Sequence, residues 1–301
     1  MSHDHGHSTG RNRLAIALAV TAVILVAEVV GSWWTGSLAL LVDAGHMLVD
    51  AGGLTMALVA ATLAARPATA QRTWGYRRAE VLAAAAQALV LFAVAVYAFI
   101  EGVRRLSAPP EIPGAELLAF GVLGLLGNLV AIVVLAGGRS TSINMRAAFL
   151  EVLNDALGSI AVIVSAVVIA TTSFARADAL AGMFISLLIV PRTVALLRET
   201  THVLLEATPR GLDLHAVREH ILDLEHVLDV HDLHASQITT GLPVLSAHVV
   251  LDDSCFRDGH APQVLDLLQS CVARHFPVSV EHSTFQLEPA THATHELHRH
   301  R

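Results

Sequence analysis

The sequence predicts an α-helical membrane protein with six transmembrane helices, followed by an α+β ferredoxin-like domain. The 301-residue chain is 54% hydrophobic and only 15% charged, which is apolar for a soluble protein. The apolar excess lies in the first two thirds of the chain. From about Thr200 the composition becomes that of an ordinary soluble domain.

Six segments are long and apolar enough to cross a bilayer, which requires about 20 apolar residues each. They are Leu14–Trp34, Leu38–Ala65, Val81–Ile100, Leu117–Ala136, Ala147–Thr171 and Ala179–Glu199. We therefore expect a transmembrane domain over residues 14–199. The N-terminus "MSHDHGHSTG" lacks the pattern of a cleavable signal peptide, so we expect the first segment to be retained.

The distribution of arginines predicts the orientation in the membrane. Arginines are dense on one side of the predicted spans and sparse on the other. The dense side carries Arg11, Arg13, Arg66, Arg72, Arg77, Arg78, Arg139, Arg146 and Arg198, and the sparse side carries Arg104, Arg105 and Arg176. The positive-inside rule places both termini of this plasma-membrane or inner-membrane protein in the cytoplasm. The net charge of −7 argues against a nucleic-acid partner and leaves lipid as the expected surroundings.

The last third predicts a small domain over residues 200–289. Helical spacing of apolar residues marks Leu212–Leu224 and Ala261–His275. Strand patterns cover residues 226–238, 244–252 and 278–288, and the turn "TTGLP" joins the first two. The order α-β-β-α-β predicts helices packed on a sheet. The two cysteines, Cys255 and Cys271, are expected to be free structural thiols.

Both ends of the chain are rich in histidine. We expect disordered tails over residues 1–13 and 290–301 that could capture metal loosely. Their histidines are His3, His5, His7, His292, His295, His298 and His300.

Two pairs of polar side chains lie within the predicted spans. His46 and Asp50 are four residues apart in the second span, and Glu151 and Asp155 have the same spacing in the fifth. Side chains four apart on a helix share a face, about 5–6 Å apart. If the two helices face each other, one imidazole and three carboxylates form a site suited to tetrahedral Zn²⁺. The alternatives are that the aspartates are solvated at the membrane interface, or that the four groups hydrogen-bond one another.

The free energy of inserting these acids indicates that they have partners. An acidic residue at the centre of a spanning helix costs about 2.5–3.5 kcal/mol, so three cost about 8–10 kcal/mol. That sum is comparable to the stability of a whole domain. A divalent cation, or protons in its absence, would supply the missing partner.

Other polar residues within the spans have simpler interpretations. Glu28, Gln87 and Asn128 are expected to form hydrogen bonds between helices. Asp43 lies one turn before His46. It either attracts cations towards His46 or has a structural or interfacial role near the start of the second span.

The predicted strands of the C-terminal domain carry histidines. His231 and His234 lie in "VHDLH", His248 in "SAHVV" and His282 in "VEHSTFQLE", which ends at Glu288. Several histidines on adjacent strands predict a second, cytoplasmic metal site. His231 and His234 are an odd number of residues apart and face opposite sides of a regular strand. A single site for all four histidines therefore requires a bulge or a second subunit.

These motifs resemble those of the cation diffusion facilitators, most closely the zinc-type bacterial divalent-metal exporters. The resemblance extends from about Leu14 to Glu288. It rests on "GSLALLVDAGHMLVD", "WGYRRAEVLAA", "NDALGS", "DLH", "SAHV" and "TFQLE". It implies a homodimer, proton-coupled export from the cytoplasm and a transport site between the second and fifth spans.

Matched position by position, the resemblance implies two sets of ligands. The transport ligands are His46, Asp50 and Asp155. The cytoplasmic ligands are His231, His248 and His282, with Glu288 and His234 as further candidates. This family's zinc-type pattern has histidine where this sequence has Glu151. A carboxylate there favours harder ions more than an imidazole does, so strict zinc preference is in question.

The leading functional prediction is a secondary transporter of divalent metal, with Zn²⁺ first and protons as the counter-ion. No G-x-x-x-x-G-K-[ST] motif occurs, which favours an ion gradient over ATP. The alternatives are an exporter of Mn²⁺, Co²⁺, Fe²⁺ or Cd²⁺, a metal sensor that moves no ions, or an intramembrane metalloenzyme. An enzyme is disfavoured because "HMLVD" lacks the glutamate of an H-E-x-x-H motif.

Overall fold

The computed structural model describes residues 5–136 and 143–294. Six of its helices are long and apolar enough to span a membrane. They are α1 (His5–Thr35), α2 (Leu38–Ala64), α3 (Ala79–Ser107), α4 (Gly114–Ala136), α5 (Ile143–Thr172) and α6 (Arg176–Leu204). Within the described residues, the prediction of six spanning helices is confirmed.

The helices extend beyond the apolar segments that predicted them. The third continues past Ile100 to Ser107, and the sixth continues past Glu199 to Leu204. Hydropathy marks only the apolar stretch of a helix, whereas backbone hydrogen bonds continue through charged residues. Similarly, α1 begins at His5 although its apolar span begins at Ile16.

The chain forms two compact units. The first comprises the described residues up to Thr55 together with Ala86–Leu196. Its core joins α2, α3, α4, α5 and α6 through fully buried side chains such as Leu38, Leu117 and Val162. Large apolar side chains such as Val133 face outwards, which is typical of helices in lipid.

Small residues allow the spanning helices to approach closely. A Cβ added at Gly121 of α4 would lie 3.0 Å from side-chain atoms of Val162 and Ile163 on α5. Helices in lipid associate through van der Waals packing because no hydrophobic driving force acts between them, and glycine allows the close approach that this packing needs.

A buried carboxylate fixes the start of α2. Asp178 of α6 accepts hydrogen bonds from the backbone N–H of Leu38 at 2.6 Å and of Ala39 at 3.3 Å. The hydroxyl of Ser37 donates to the same carboxylate. The first N–H groups of a helix have no partner within the helix, so this carboxylate satisfies donors that lipid could not. The contact ties α6 to the helix that carries His46 and Asp50.

The second unit comprises Met56–Ala85 and the described residues from Leu197 onwards. Its globular part contains α7 (Leu214–Leu222), β1 (Val227–Thr239), β2 (Leu242–Leu251), α8 (Cys255–Asp258), α9 (Ala261–Arg274) and β3 (His282–Pro289). The strands form one sheet in the order β1-β2-β3, with β1 and β2 antiparallel and β2 and β3 parallel. A parallel pair needs a crossover, which α9 provides.

The core of the C-terminal domain lies between the helices and the sheet. Val217 and Ile221 of α7 and Leu268 of α9 are fully buried and belong to the same apolar cluster as Val230 and Val249 of the sheet. The predicted α-β-β-α-β order is therefore confirmed. The sequence did not predict the short α8, and β3 begins at His282 instead of residue 278.

Two further sequence expectations concern the cysteines and the tails. Cys255 and Cys271 are free and buried, as predicted, and burial raises the pKa of both thiols. Residues Ala290–Thr294, at the start of the expected C-terminal tail, form a short 3-10 helix. His3, His295, His298 and His300 lie outside the described residues.

We predict that Asp178→Ala lowers the melting temperature of the protein in detergent. The variant removes the acceptor for the start of α2, and a buried hydrogen bond to a charged group contributes about 1.5–3 kcal/mol. Thermal unfolding monitored by circular dichroism tests this. Glu116→Ala is the matched control, because Glu116 is an exposed acid in the first turn of α4. An equal effect of both variants would contradict the capping role.

Candidate metal centre

Two helices bring the predicted polar pairs together. His46 and Asp50 lie on one face of α2, and Glu151 and Asp155 lie on one face of α5. The Nε2 atom of His46 is 3.5 Å from an Asp50 oxygen, 4.0 Å from a Glu151 oxygen and 3.9 Å from an Asp155 oxygen. One imidazole nitrogen therefore has three carboxylates around it.

These separations are close to those of a metal site. Nitrogen and oxygen ligands about 2.0–2.2 Å from a tetrahedral zinc ion are about 3.3–3.6 Å apart. The distances from His46 Nε2 to the three carboxylates are within a few tenths of an ångström of that range. One donor atom each from His46, Asp50 and Glu151 also lies within 4.8 Å of the other two. His46 and Asp155 are buried, whereas Asp50 and Glu151 are half-buried. The cluster thus has an inner side and a side that a solvated ion could approach.

The structure adds a fifth charged group to this cluster. The guanidinium of Arg192, on α6, lies 2.5 Å from a Glu151 oxygen and 3.7 Å from an Asp50 oxygen. The Arg192 side chain is 46% exposed, so it reaches the cluster from the accessible side. It is therefore a positive charge already paired with two of the candidate ligands.

Hydrogen bonding positions one ligand further. Gln87 of α3 donates from Nε2 to Asp50 Oδ1 at 3.2 Å. The expectation that Gln87 bonds between helices is confirmed. Gln87 fits there because Gly53 leaves the space, since a Cβ at that position would lie 2.0 Å from the Gln87 amide.

A small cavity adjoins the cluster between α2, α5 and α6. Its lining includes His46, Asn154, Leu188 and Arg192. The cavity also reaches Asp43, one turn before His46 on α2. Its lining is therefore partly polar, and apolar side chains of α6 such as Leu188 and Ile189 complete it.

A second pair of carboxyl groups lies deeper among the helices. Glu28 of α1 and Asp43 of α2 are both 2% exposed. Nearby, Asn128 of α4 donates to Ser159 of α5 at 3.2 Å, which confirms its expected interhelical role.

In the C-terminal domain the sheet brings together part of the predicted cytoplasmic site. His231 pairs with His248 across β1 and β2, and their rings are 5.1 Å apart. Glu288 of β3 lies between them, with Oε2 3.4 Å from His231 Nε2 and Oε1 2.8 Å from His248 Nδ1. Asp232 lies 2.9 Å from His231 Nδ1. Glu288 and His231 are each 2% exposed.

A β-bulge between His231 and His234 places both side chains on the same face of the sheet, but His234 lies further along the strand. The register changes between His231 and His234, and Asp232 has a left-handed φ of 48°. His234 is exposed and lies opposite Ser246. The bulge that the odd spacing required is present, and it places Asp232 beside His231.

His282 lies at the other end of β3. It pairs with Val244, whereas Gln286 pairs with His248. The six steps along β3 from His282 to Glu288 cover about 20 Å of strand. Within one chain His282 does not join the His231 cluster, and its ring instead lies edge-on to Trp74 at 4.7 Å.

Sequence reasoning missed two charged residues at these sites. Arg192 lies within the predicted sixth span, and an arginine there is itself a signal for a buried partner. Asp232 lies inside "VHDLH", where a regular strand would turn it away from His231. Only the bulge, which the sequence pattern does not locate, brings it to His231.

Comparisons with known proteins match almost the whole chain. The family model "Cation efflux transmembrane domain" matches residues 14–205. The model "Cation efflux protein, cytoplasmic domain" matches residues 209–290.

Several named relatives are similar over nearly their whole length. The "Metal cation efflux system protein CzcD" of Cupriavidus metallidurans is 42% identical, with 97% of this chain and 92% of the relative covered. The "Cadmium, cobalt and zinc/H(+)-K(+) antiporter" of Bacillus velezensis is 34% identical, with 97% and 93% covered. The "Zinc transporter ZitB" of Escherichia coli is 34% identical, with 96% and 93% covered. These matches, with the six spanning helices, show that the chain belongs to the cation efflux family, the cation diffusion facilitators, and is a multi-pass transporter of divalent metal cations and not an enzyme.

Proposed function

We propose that this protein exports Zn²⁺ from the cytoplasm in exchange for protons, and that it works as a homodimer with both termini in the cytoplasm. The observation that carries the proposal is that oxygens of Asp50, Glu151 and Asp155 all lie within 4.0 Å of the Nε2 atom of His46. Such a set of one nitrogen and three oxygens suits a divalent cation at the middle of a membrane. The printed name of the Bacillus relative, an H(+)-K(+) antiporter for cadmium, cobalt and zinc, supports exchange against a cation gradient.

The arrangement suggests how metal and protons would compete. The carboxylates bind either protons or the metal ion, so metal entry releases protons and proton entry releases metal. Alternating access would need the ligand pairs on α2 and α5 to separate. The Asp178 contact at the start of α2 suggests that α6 moves with α2 when that happens.

Arg192 gives the cluster a positive charge of its own. Three carboxylates exceed the two charges of a divalent ion by one, and either a proton or the guanidinium balances that excess. We infer that Arg192 pairs with Glu151 when the metal is absent and yields the Glu151 oxygen when the metal enters. Glu151 and Arg192 would then act together as an element of metal selection.

For the C-terminal domain we propose a metal-binding and dimerisation role over residues 200–289. His231, His248 and Glu288 supply nitrogen and oxygen donors in contact, and Asp232 is an additional donor. His234 and His282 stay predicted ligands that a second subunit would have to complete, because one chain does not bring them into the cluster. The family model for a cytoplasmic domain over residues 209–290 supports this assignment.

A second candidate for the transported ion rests on Glu151. Where the zinc-type pattern of the resemblance has an imidazole, this chain has a carboxylate, and carboxylates suit Mn²⁺ better than imidazoles do. Co²⁺, Fe²⁺ and Cd²⁺ are further candidates. A panel of metals, each tested for uptake into proteoliposomes with an imposed pH gradient, decides the order of preference.

We predict that Asp50→Ala and Asp155→Ala each abolish zinc uptake into proteoliposomes, while the protein still inserts and dimerises. Each variant removes one charged donor from a set of four. We expect the rate of zinc uptake to fall roughly 100-fold or more, because loss of a residue that only hydrogen-bonds to a metal ligand already costs about 10–100-fold. Asn154→Ala is the matched control, because Asn154 lines the adjoining cavity on α5 without belonging to the cluster. Near-normal flux in either aspartate variant would exclude the site.

We predict that Glu151→His shifts transport towards Zn²⁺ relative to Mn²⁺ and changes the pH dependence of flux. The variant exchanges an oxygen donor for a nitrogen donor and removes one negative charge. The measurement is the ratio of Zn²⁺ to Mn²⁺ flux in vesicles at two pH values. A ratio that stays unchanged at both values would mean that Glu151 does not contact the ion.

We predict that Arg192→Gln lowers the KM for zinc about fivefold, because a half-exposed charge pair contributes up to about 1 kcal/mol. Without the guanidinium, the metal no longer competes with an internal cation for Glu151. The same change in a Glu151→His background should have a much smaller effect. Equal effects of Arg192→Gln in both backgrounds would show that the two residues act independently.

We predict that zinc raises the melting temperature of the isolated residues 201–288 and that His231→Ala with His248→Ala diminishes this rise. A ligand at a hundredfold excess over its Kd adds about 2.7 kcal/mol to the free energy of unfolding. His215→Ala is the control, since its side chain is 79% exposed on α7. A zinc effect that persists undiminished in the double variant would contradict this site.

A further inference from the structure

A third group of metal-binding side chains lies in the C-terminal domain, apart from both clusters described above. His220 lies on α7, Cys271 on the last turn of α9, and His275 at the residue that ends α9. One donor atom from each of the three lies within 4.8 Å of the other two. His220 Nε2 and His275 Nδ1 are 2.9 Å apart.

The backbone fixes two of these groups relative to each other. Cys271 and His275 are four residues apart, so both face the same side of α9. The N–H of His275 donates to the carbonyl of Cys271 at 3.0 Å, which keeps the last turn closed. The third group, His220, comes from a different helix, and its ring lies edge-on to both His275 and Phe276.

The spacing suits a tetrahedral metal ion. Nitrogen ligands at about 2.0–2.1 Å and a thiolate at about 2.3 Å from zinc are about 3.3–3.6 Å from one another. The two imidazole nitrogens, now 2.9 Å apart, would separate by a few tenths of an ångström. The sulfur already lies within 4.8 Å of the donor nitrogens and would approach by about 1 Å at most.

The three side chains differ in solvent exposure. Cys271 is 2% exposed, His220 is half-buried and His275 is exposed. An ion can therefore arrive at His275 and bind the thiol that lies beneath it. A hydrogen bond between the imidazoles accounts for the two rings, but it gives no role to the thiol beside them.

We propose that His220, Cys271 and His275 form a metal site for a thiophilic divalent cation such as Zn²⁺, Cd²⁺ or Co²⁺. A thiolate with two imidazoles prefers such ions over Mn²⁺ or Mg²⁺. Water would complete the tetrahedral set. A bound ion would link α7 to α9, the two helices that cover the sheet, and would stabilise the domain because only the folded chain brings the three ligands together.

The test is a titration of the full-length protein in detergent with Co²⁺. A cysteine ligand gives a thiolate-to-cobalt charge-transfer band in the near ultraviolet, which imidazoles and carboxylates do not give. The chain has only two cysteines, so the band can come only from Cys255 or Cys271. We expect the band in the wild type, its loss in Cys271→Ser, and its retention in Cys255→Ser, which is the matched control for a buried thiol in the same domain.

A second variant keeps the test decisive if Cys271→Ser fails to fold. His275→Ala alters an exposed side chain, so the fold should survive, and the Co²⁺ concentration at half-saturation of the band should rise roughly tenfold or more. Zinc X-ray absorption of the wild type should also show a sulfur contribution at about 2.3 Å, which Cys271→Ser should lose. Absence of the band in the wild type, or its persistence in folded Cys271→Ser, would overturn the proposal.

The readout is independent of the transport and cytoplasmic sites proposed above. Asp155→Ala and His231→Ala remove ligands that carry no sulfur, so both variants should retain the charge-transfer band. A band lost in His231→Ala would assign the thiolate to the sheet cluster and contradict the proposal. Failure of zinc transport therefore says nothing against this site, and absence of the band says nothing against transport.

Discussion

The free-energy cost of holding three carboxylates within an apolar layer is the constraint on which the first unit depends. Asp50, Glu151 and Asp155 lie on two helices that lipid surrounds, where each isolated charge costs about 2.5–3.5 kcal/mol. Their arrangement around His46 directs all three charges towards one another. That arrangement is favourable only when cations are present. The same carboxylates that would destabilise the helices on their own therefore form a cation-binding site.

Much of this site could be predicted because helix periodicity is simple. The four-residue spacing in each pair determines a shared face regardless of how the helices pack. What the spacing could not show was the third helix. Arg192 reaches the cluster because α6 packs beside α2, and the Asp178 contact that holds α6 at the start of α2 involves residues about 140 positions apart. Contacts over such sequence distances leave no periodic pattern.

The C-terminal domain illustrates a different limit. Alternating strands and amphipathic helices predicted its element order, since each pattern reports burial of one face. The bulge at Asp232 interrupts that alternation, and a one-residue change of register turns every following side chain to the other face. Because of the bulge, His231 and His234 face the same side of the sheet in spite of their odd spacing. His231 contacts His248 and Glu288, whereas His234 lies further along the strand, opposite Ser246, and is exposed.

Charge connects the substitution at Glu151 to the rest of the molecule. An imidazole in that position would leave two carboxylates, whose charge a divalent ion balances alone. The carboxylate adds a third negative charge, and the chain places the guanidinium of Arg192 2.5 Å from it. In this arrangement the guanidinium balances one of the three negative charges. On this proposal the number of protons exchanged for each metal ion depends on whether Arg192 stays in contact with Glu151 through the transport cycle. Residue 192, on a helix that carries no metal ligand, would then determine the stoichiometry of the exchange.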